Sequence, residues 1–318
     1  MFHNIEDAIE DIRQGKMIIV VDDENRENEG DFVMASDMVT PEAINFMAVH
    51  GRGLICTPIT ESKAQQLGLE KMVRNNGAPY ETAFTVSIDA AHGIDTGISA
   101  NDRSHSIRLM MGQGTRPEDF VRPGHIFPLI AKNGGVLERD GHTEAAVDFS
   151  RLAGLNPSGV ICEICNEDGS MARVDDLIKL SKRHNLKLVT IKDLIQYRLE
   201  NEQLYILEQS IRFGGFDYYC FQNRLFENQK IHLISSEQSS IDLDTKFKVV
   251  EFEPTKDFFN LLSRIYMAGQ YEIEQQPSLQ FFMENIENSE WESSLLSVLK
   301  EFKSLRGEYE SSRGTTKH

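Results

Sequence analysis

Ten residues that follow an apolar run carry an unusual density of charge. Residues 22–31 read DDENRENEGD and come directly after MIIVV at 17–21. Seven of these ten side chains are charged and six of them are carboxylates, with Arg26 as the one cation. A run of this kind is often a solvated turn, but carboxylates that converge on a core need a cation among them. Arg26 or a divalent ion could fill that place, and oxygen ligands suit magnesium or manganese better than zinc.

The same run predicts a shared acidic face. If residues 27–35 are extended, side chains alternate between the two faces of the strand. Glu27, Glu29 and Asp31 then lie on one face, which turns apolar beyond Asp31. The pattern therefore favours an acid-lined site at the mouth of a core.

A second group of polar residues surrounds a predicted helix start. The stretch ERDGHTEAA places Arg139 and Asp140 in a turn and begins a helix at His142 and Thr143. A helix N-terminus carries free N–H groups and partial positive charge, which favours a phosphate. Arg139 and Thr143 would add a guanidinium fork and a hydroxyl, and His142 could complete a metal site that Glu27 begins. An ordinary capped helix with a surface histidine is the alternative.

Two further residues are candidates for proton transfer. Glu163 is the one acid in the apolar strand pattern SGVICEIC, and a buried acid is costly unless it is paired or neutral. Its pKa is then expected to be unusual, as a general acid or base requires; an edge-strand glutamate that points to water is the alternative. His125 lies in the turn of RPGHIFPL that enters a strand, where a rigid frame can deliver a catalytic side chain.

The elements that must position these residues interleave along residues 1–200. An amphipathic helix is predicted at 5–14, and Thr40 followed by Pro41 is typical of a helix start. Further helices are predicted at 60–68, 103–111, 142–154 and 173–185, and strands at 17–23, 53–59, 83–89, 124–131 and 158–165, with a strand and then a helix in 187–200. Such interleaving predicts an α+β fold, a layered α/β sandwich with a mixed sheet.

The glycine and proline content of the sequence and its secondary-structure patterns change near residue 200. Residues 1–200 hold 17 of the 22 glycines and 7 of the 9 prolines. Strand patterns dominate 204–253, and helical patterns follow Pro254. We therefore predict two domains, 1–200 and 201–318, of which the second is a smaller α+β domain.

Bulk composition disfavours several classes of partner. The formal net charge of −17 disfavours electrostatic binding to nucleic acid or to an anionic membrane. No stretch is long and apolar enough for a membrane-spanning helix, and the first residues lack an export signal. Four cysteines in 318 residues do not indicate a disulfide framework. We expect a cytoplasmic protein without a nucleic-acid or membrane partner.

Five motifs in order resemble one family of enzymes. They are RENEGD (26–31), GISANDR (97–103), RPGHIFPL (122–129), RDGHTEA (139–145) and CEI (162–164). The set resembles 3,4-dihydroxy-2-butanone 4-phosphate synthase, an enzyme of riboflavin biosynthesis, over about residues 3–199. The resemblance implies a lyase that converts D-ribulose 5-phosphate to L-3,4-dihydroxy-2-butanone 4-phosphate and formate with magnesium or manganese. It also implies a homodimer with sites at the subunit interface.

The resemblance implies a role for each matched residue. Metal ligands fall on Glu27 and His142, and the positions essential for catalysis on His125 and Glu163. The implied substrate contacts are Arg26, Glu27, Asp31, Arg139, Asp140, Gly141, His142, Thr143 and Glu163. We hypothesise that Asp31 or Glu29 is an early base and that Glu163 with His125 acts in later proton transfers.

The second predicted domain has a weaker resemblance. Residues 211–234 faintly resemble the opening of GTP cyclohydrolase II, which needs three cysteines for zinc, whereas 201–318 contains only Cys220. One thiol cannot build that site. We predict a degenerate module without GTP hydrolysis, which disfavours a bifunctional enzyme. A regulatory or interaction module, or a family fold kept as a sensor, is the alternative.

Overall fold

The chain divides into two compact units, Met1–Tyr197 and Arg198–His318. The computed structural model describes residues 2–213, 216–227, 230–236, 248–251 and 279–284. Among the described residues no helix has the length and apolar character needed to cross a membrane.

The predicted mixed sheet forms the centre of the first unit and has seven strands. Its strands are β1 Ile18–Val21, β2 Gly30–Ala35, β3 Cys56–Ile59, β4 Ile88–Ala90, β5 Phe120–Ile130, β6 Gly159–Glu163 and β7 Lys187–Thr190. They are ordered β4-β5-β3-β6-β2-β1-β7. The β1/β2 and β2/β6 pairs are antiparallel, whereas β1/β7 and β3/β5 are parallel.

Helices cover both faces of this sheet, so the layered sandwich is confirmed. The helices are α1 Ile5–Arg13, α2 Pro41–Phe46, α3 Glu61–Gln66, α4 Ala100–Met111, α5 His142–Leu152, α6 Val174–His184 and α7 Ile191–Asn201. One core packs α1 and α5 against the face that carries Val20, Val33 and Ile161. The other packs α2, α4 and α6 against the face that carries Ile19 and Phe32.

Local sequence explains where the first helices begin. Asn4 accepts a hydrogen bond from the Asp7 N–H at 2.8 Å and caps α1. In α1 the apolar positions recur at helical spacing and are all buried, namely Ile5, Ala8, Ile9 and Ile12. Thr40 caps α2 by accepting from the Ala43 N–H at 3.2 Å, and Pro41 occupies the first turn.

The extended conformation expected for residues 27–35 is wrong at its start. Residues 24–27 form a turn, and strand β2 begins only at Gly30. Asn28 has a φ of +54°, in the left-handed region. Alternation along a strand therefore does not place Glu27 and Glu29. The strand expected at 83–89 is also shorter, because β4 spans only Ile88–Ala90.

The second unit contains a five-stranded sheet with the order β11-β12-β10-β9-β8. Its strands are β8 Tyr205–Phe213, β9 Phe216–Asn223, β10 Lys230–Ser236, β11 Lys248–Glu251 and β12 Leu279–Glu284. The strand-rich character expected for 204–253 is confirmed where the chain is described. The helical patterns at 256–269 and 291–305 lie outside the described residues.

Candidate metal and substrate site

Asp22 organises the acidic loop between β1 and β2. Its Oδ2 accepts hydrogen bonds from the Glu27 N–H at 3.0 Å and from Arg26 Nη1 at 2.9 Å. Its Oδ1 accepts from the Glu29 N–H at 2.8 Å. Arg26 Nη1 also donates to Glu27 Oε2 at 2.8 Å. The buried carboxylate of Asp22 thus holds the loop together. Arg26 lies among the acids as a cation, which is one of the two possibilities, Arg26 or a divalent ion, that the charge pattern allows.

His142 begins α5 and is buried against the end of β1. Its Nε2 lies 3.2 Å from the Val20 carbonyl oxygen, so Nε2 carries the proton and donates. Nδ1 keeps its lone pair and lies 3.9 Å from Glu27 Oε2 and 4.0 Å from Asp31 Oδ1. Burial lowers the pKa of His142, which favours the neutral, metal-binding form. A backbone acceptor that fixes the tautomer is typical of metal-binding histidines.

The donor set around His142 fits a divalent cation. Ligand atoms of Asp22, Glu27 and His142 all lie within 4.8 Å of one another. Asp22 already accepts hydrogen bonds from three N–H groups. Glu27 and His142 are therefore the residues that can more easily become ligands of a cation. Carboxylate oxygens with one imidazole can hold magnesium or manganese. A bound ion would also offset the acids that crowd this loop.

Asp31 and Glu163 form a pair of carboxyl groups near these ligands, with Asp31 buried and Glu163 half-buried. They are directly opposite each other in the antiparallel β2/β6 ladder, which places their side chains on the same face. Asp31 Oδ1 is buried and has no hydrogen-bond partner among the described residues. Burial and the nearby charge of Glu163 raise the pKa of Asp31 well above its usual value. Burial also raises the pKa of Glu163, whose Oε2 accepts the Leu54 N–H at 2.8 Å.

Replacing Asp31 with asparagine is expected to stabilise the metal-free protein at neutral pH. Because the folded state raises the pKa of Asp31, the folded protein binds more protons than the unfolded chain. The carboxyl therefore costs stability above the unfolded pKa of about 3.9. The cost grows as the pH rises towards the folded pKa and is constant above it. Calorimetry in EDTA at pH 7 should show a higher Tm, by about 2–4 °C for each kcal/mol gained.

The gain in Tm should shrink at pH 4, where the wild-type carboxyl is protonated in the folded protein. Glu24→Gln removes the same charge from an exposed position of the loop that precedes β2 and should leave the Tm unchanged. A Tm for Asp31→Asn below that of the wild type at pH 7 would contradict the assignment of Asp31 as an unpaired buried acid.

Arg139 is engaged by neighbouring residues in this structure. Its Nη1 donates to Glu144 Oε2 at 2.5 Å, and its Nη2 donates to Thr82 Oγ1 at 3.1 Å. Its Nε and Nη2 both donate to the Tyr80 carbonyl oxygen, at 3.1 and 2.9 Å. To contact a phosphate, Arg139 must therefore give up some of these hydrogen bonds.

Two guanidinium groups pack around the glycine that precedes α5. A Cβ added at Gly141 would lie 2.2 Å from Arg139 Nη1 and 3.0 Å from Arg26 Nη2. Glycine leaves room for both cations here, whereas a larger residue would require the guanidinium groups to shift. Thr143 is buried in the first turn of α5, whereas Asp140 is exposed with its Oδ1 3.5 Å from Arg26 Nε. The helix start thus combines a positive dipole end with two arginines, which suits an anion.

Tyr80 links these two arginines. The Arg26 guanidinium carbon lies 4.9 Å from the centroid of the Tyr80 ring, and the Tyr80 hydroxyl donates to the Arg26 carbonyl oxygen at 2.5 Å. The Tyr80 carbonyl accepts from Arg139. The loop that carries Tyr80 therefore lies over the helix start.

His125 lies in the same row of the sheet as Glu163 but is separated from it. Cys56 of β3 pairs with Phe127 of β5 and with Ile161 of β6. His125 is two residues from Phe127 along β5, and Glu163 is two residues from Ile161 along β6. The two side chains are therefore on the same face of the sheet, with strand β3 between their strands. Two strand spacings are about 10 Å. Within one chain His125 is therefore near the carboxyl pair without contacting it.

The motifs around this site match one protein family. The family described as 3,4-dihydroxy-2-butanone 4-phosphate synthase matches residues 6–197.

The chain belongs to the 3,4-dihydroxy-2-butanone 4-phosphate synthase family.

Curated relatives carry riboflavin biosynthesis names. The riboflavin biosynthesis protein RibBA of Bacillus cereus strain AH187 is 54% identical over 246 residues, which are 76% of this chain and 62% of that protein. The RibBA protein of Aquifex aeolicus strain VF5 is 55% identical over 242 residues, which are 74% of this chain and 60% of that protein. The chain thus spans less than two thirds of the length of these relatives.

Solved structures of the synthase family share the fold. RibBX of A. baumannii, described as a two domain 3,4-dihydroxy-2-butanone 4-phosphate synthase, is 38% identical with a TM-score of 0.71, over 90% of this chain and 83% of that one. A synthase in complex with two magnesium ions is 42% identical with a TM-score of 0.61, over 63% of this chain and 98% of that one. Magnesium is thus bound by a structural relative of the first unit.

Sequence reasoning on this synthase-family chain missed three contributors to the site. Asp22 follows β1 directly and was read only as part of an acidic run, although it holds the loop. Tyr80 lies in a stretch without helical or strand periodicity, so no pattern pointed to it. Glu144 was read as a helical residue, although it contacts Arg139. The acid after a buried strand is the signal that could have indicated Asp22.

Proposed function

We propose that the first unit converts D-ribulose 5-phosphate to L-3,4-dihydroxy-2-butanone 4-phosphate and formate. The observation that carries the proposal is the arrangement of His142 Nδ1 beside Glu27, next to the Asp31–Glu163 pair. Membership of the synthase family supports it. Because the chain spans only part of its curated relatives, the proposal concerns the first unit.

The reaction requires proton transfers at several carbons of the sugar. A proton leaves the carbon beside the ketone, water is lost, and the carbon skeleton rearranges. A water molecule then adds, and a one-carbon acid departs. Glu27 and His142 would hold magnesium or manganese, which acts as a Lewis acid on sugar oxygens when bound. Carboxyl groups with raised pKa values are suited to give and take protons near neutral pH.

We assign the early base to Asp31 in preference to Glu29. Asp31 is fixed on β2 and faces Glu163 across the ladder. Glu29 lies in the loop, where burial and the nearby charge of Glu27 raise its pKa. Glu163 and His125 serve the later proton transfers, since both lie in the same row of the sheet.

The start of α5 would hold the phosphate of the substrate. Arg26 and Arg139 both lie close to Gly141, and Thr143 adds a hydroxyl in the first turn. These groups with Asp140 form the polar rim of the site. Binding the phosphate there orients the reacting carbons towards Asp31 and Glu163, and such orientation lowers the barrier.

The assembly and the second unit complete the proposal. We infer a homodimer, because the resemblance to the synthase family implies one. We also infer a cytoplasmic location, because four cysteines in 318 residues do not indicate a disulfide framework. The second unit is proposed to be a degenerate GTP cyclohydrolase II-like module, because residues 201–318 contain Cys220 as their only thiol. It serves regulation or interaction rather than catalysis.

Formate release tests the function directly. The full-length protein is incubated with D-ribulose 5-phosphate and magnesium, and formate is quantified with a coupled dehydrogenase. Release is expected with magnesium or manganese and should stop with excess EDTA. GTP with zinc is the matched second substrate and should release no formate. Absence of formate from ribulose 5-phosphate under all metal conditions would refute the proposal, and release from GTP would refute the assignment of the second unit.

A further inference from the structure

Asp89 is a buried carboxylate that holds His125. Its Oδ2 lies 2.6 Å from His125 Nδ1, and its Oδ1 accepts the His125 backbone N–H at 2.9 Å. The side chain of Asp89 is 7% exposed, whereas that of His125 is 41% exposed. One carboxylate therefore fixes both the backbone and the ring of His125, and Nε2 is the ring nitrogen that Asp89 does not hold.

An irregularity in the sheet aims Asp89 at this contact. The β4/β5 register pairs Ile88 with Ile126 but Asp89 with Val121, so β5 has extra residues between these pairs. Bulges of this kind redirect side chains and are frequent beside active sites. Gly124 lies in the extra segment, and a Cβ added there would lie 2.1 Å from the Ile88 carbonyl carbon. A glycine is therefore required where the two strands approach.

Gly97 closes over the same contact. Its φ is +92°, and a Cβ added there would lie 2.2 Å from Asp89 Oδ2 and 2.6 Å from His125 Nδ1. The Gly97 N–H donates to Asp102 Oδ2 at 3.1 Å, which anchors the glycine to the start of α4. The motif GISANDR, which has no residue in the site described above, thus packs its glycine onto the Asp89–His125 pair.

We propose that Asp89 is a positioning residue that keeps His125 in the tautomer with the proton on Nδ1. An ionised carboxylate only accepts hydrogen bonds, so the ring nitrogen that faces Oδ2 must donate. His125 Nε2 then carries a lone pair and can take up a proton during the reaction. The inference rests on the proposed function for its catalytic consequence, but the tautomer itself does not depend on that function.

Asp89→Asn tests the inference with a side chain of the same size. The His125 backbone N–H requires an acceptor, so the amide oxygen of the asparagine would replace Oδ1. Its NH₂ group would then face Nδ1 and donate to it, which moves the ring proton to Nε2. We expect kcat to fall by about 10²–10⁴-fold, with KM changed by less than about threefold because substrate binding is retained.

Nitrogen-15 NMR of histidine-labelled protein reads the tautomer. His125→Gln assigns the signals, and the wild type should show a protonated Nδ1 and an unprotonated Nε2. In Asp89→Asn, Nε2 should be protonated and Nδ1 should be unprotonated. Gly97→Ala crowds the contact without changing its chemistry and should also lower kcat, whereas Asp95→Asn, an exposed acid of the same segment, should not.

Three results would overturn the inference. They are an Asp89→Asn enzyme with wild-type kcat, a loss of kcat without a change of tautomer, and an unprotonated Nδ1 in the wild type. The third needs no Asp89 variant, only the assignment by His125→Gln, so it decides even where Asp89→Asn does not fold. If the wild type releases no formate, the proposed function fails, while the nitrogen spectrum still decides whether Asp89 sets the tautomer.

Discussion

His142→Ala is expected to abolish metal binding and to lower formate release by about 10³-fold or more. A bound cation contributes several kcal/mol of charge stabilisation to a reaction of this type, and each 1.36 kcal/mol is about tenfold in rate. His142 is the one nitrogen donor in the cluster with Asp22 and Glu27. Its Nδ1 is kept free because Nε2 donates to the Val20 carbonyl oxygen.

Isothermal titration with Mn²⁺ measures the metal affinity, and coupled formate detection measures the rate. Glu27→Gln should also weaken Mn²⁺ binding, because it removes the negative charge of the second ligand. His92→Ala changes an exposed histidine and should bind and turn over as the wild type does. An His142→Ala protein with wild-type Mn²⁺ affinity would show that the metal lies elsewhere.

Glu163→Gln is expected to lower kcat by about 10²–10⁴-fold, the range that a positioned acid or base contributes. The substitution keeps the shape of the side chain and its acceptor for the Leu54 N–H. It removes the proton-transfer capacity of a carboxyl group whose pKa is raised by burial. Mn²⁺ affinity should remain near that of the wild type, because Glu163 lies across the ladder from Asp31 rather than in the His142 cluster.

Steady-state kinetics with D-ribulose 5-phosphate check this prediction. Glu167→Gln removes a charge four residues away at an exposed position and should have wild-type kcat. Unchanged turnover by Glu163→Gln would remove Glu163 from the mechanism.

Much of the scaffold follows from local sequence. The buried face of α1 repeats at helical spacing, and the cap formed by Thr40 with Pro41 starts α2 where expected. The apolar run that contains Glu163 does form a central strand. These features depend on residues close in sequence, which is why pattern and propensity suffice to predict them.

The parts that were mispredicted depend on contacts that periodicity does not encode. Glu27 and Glu29 were expected on one strand face. The chain turns there instead, because the Asp22 carboxylate accepts hydrogen bonds from both of their backbone N–H groups. The placement of Asp89 depends on a bulge set by β5. Tyr80 reaches Arg26 across 54 residues of sequence. Asp31 and Glu163 were both singled out, but only the β2/β6 register shows that they face each other.

Anomalous diffraction from crystals grown with Mn²⁺ tests the central claim most directly. The account predicts a peak within coordination distance of the Glu27 carboxylate and of His142 Nδ1, beside Asp31. A peak bound by other side chains, with both Glu27 and His142 out of reach, would contradict it.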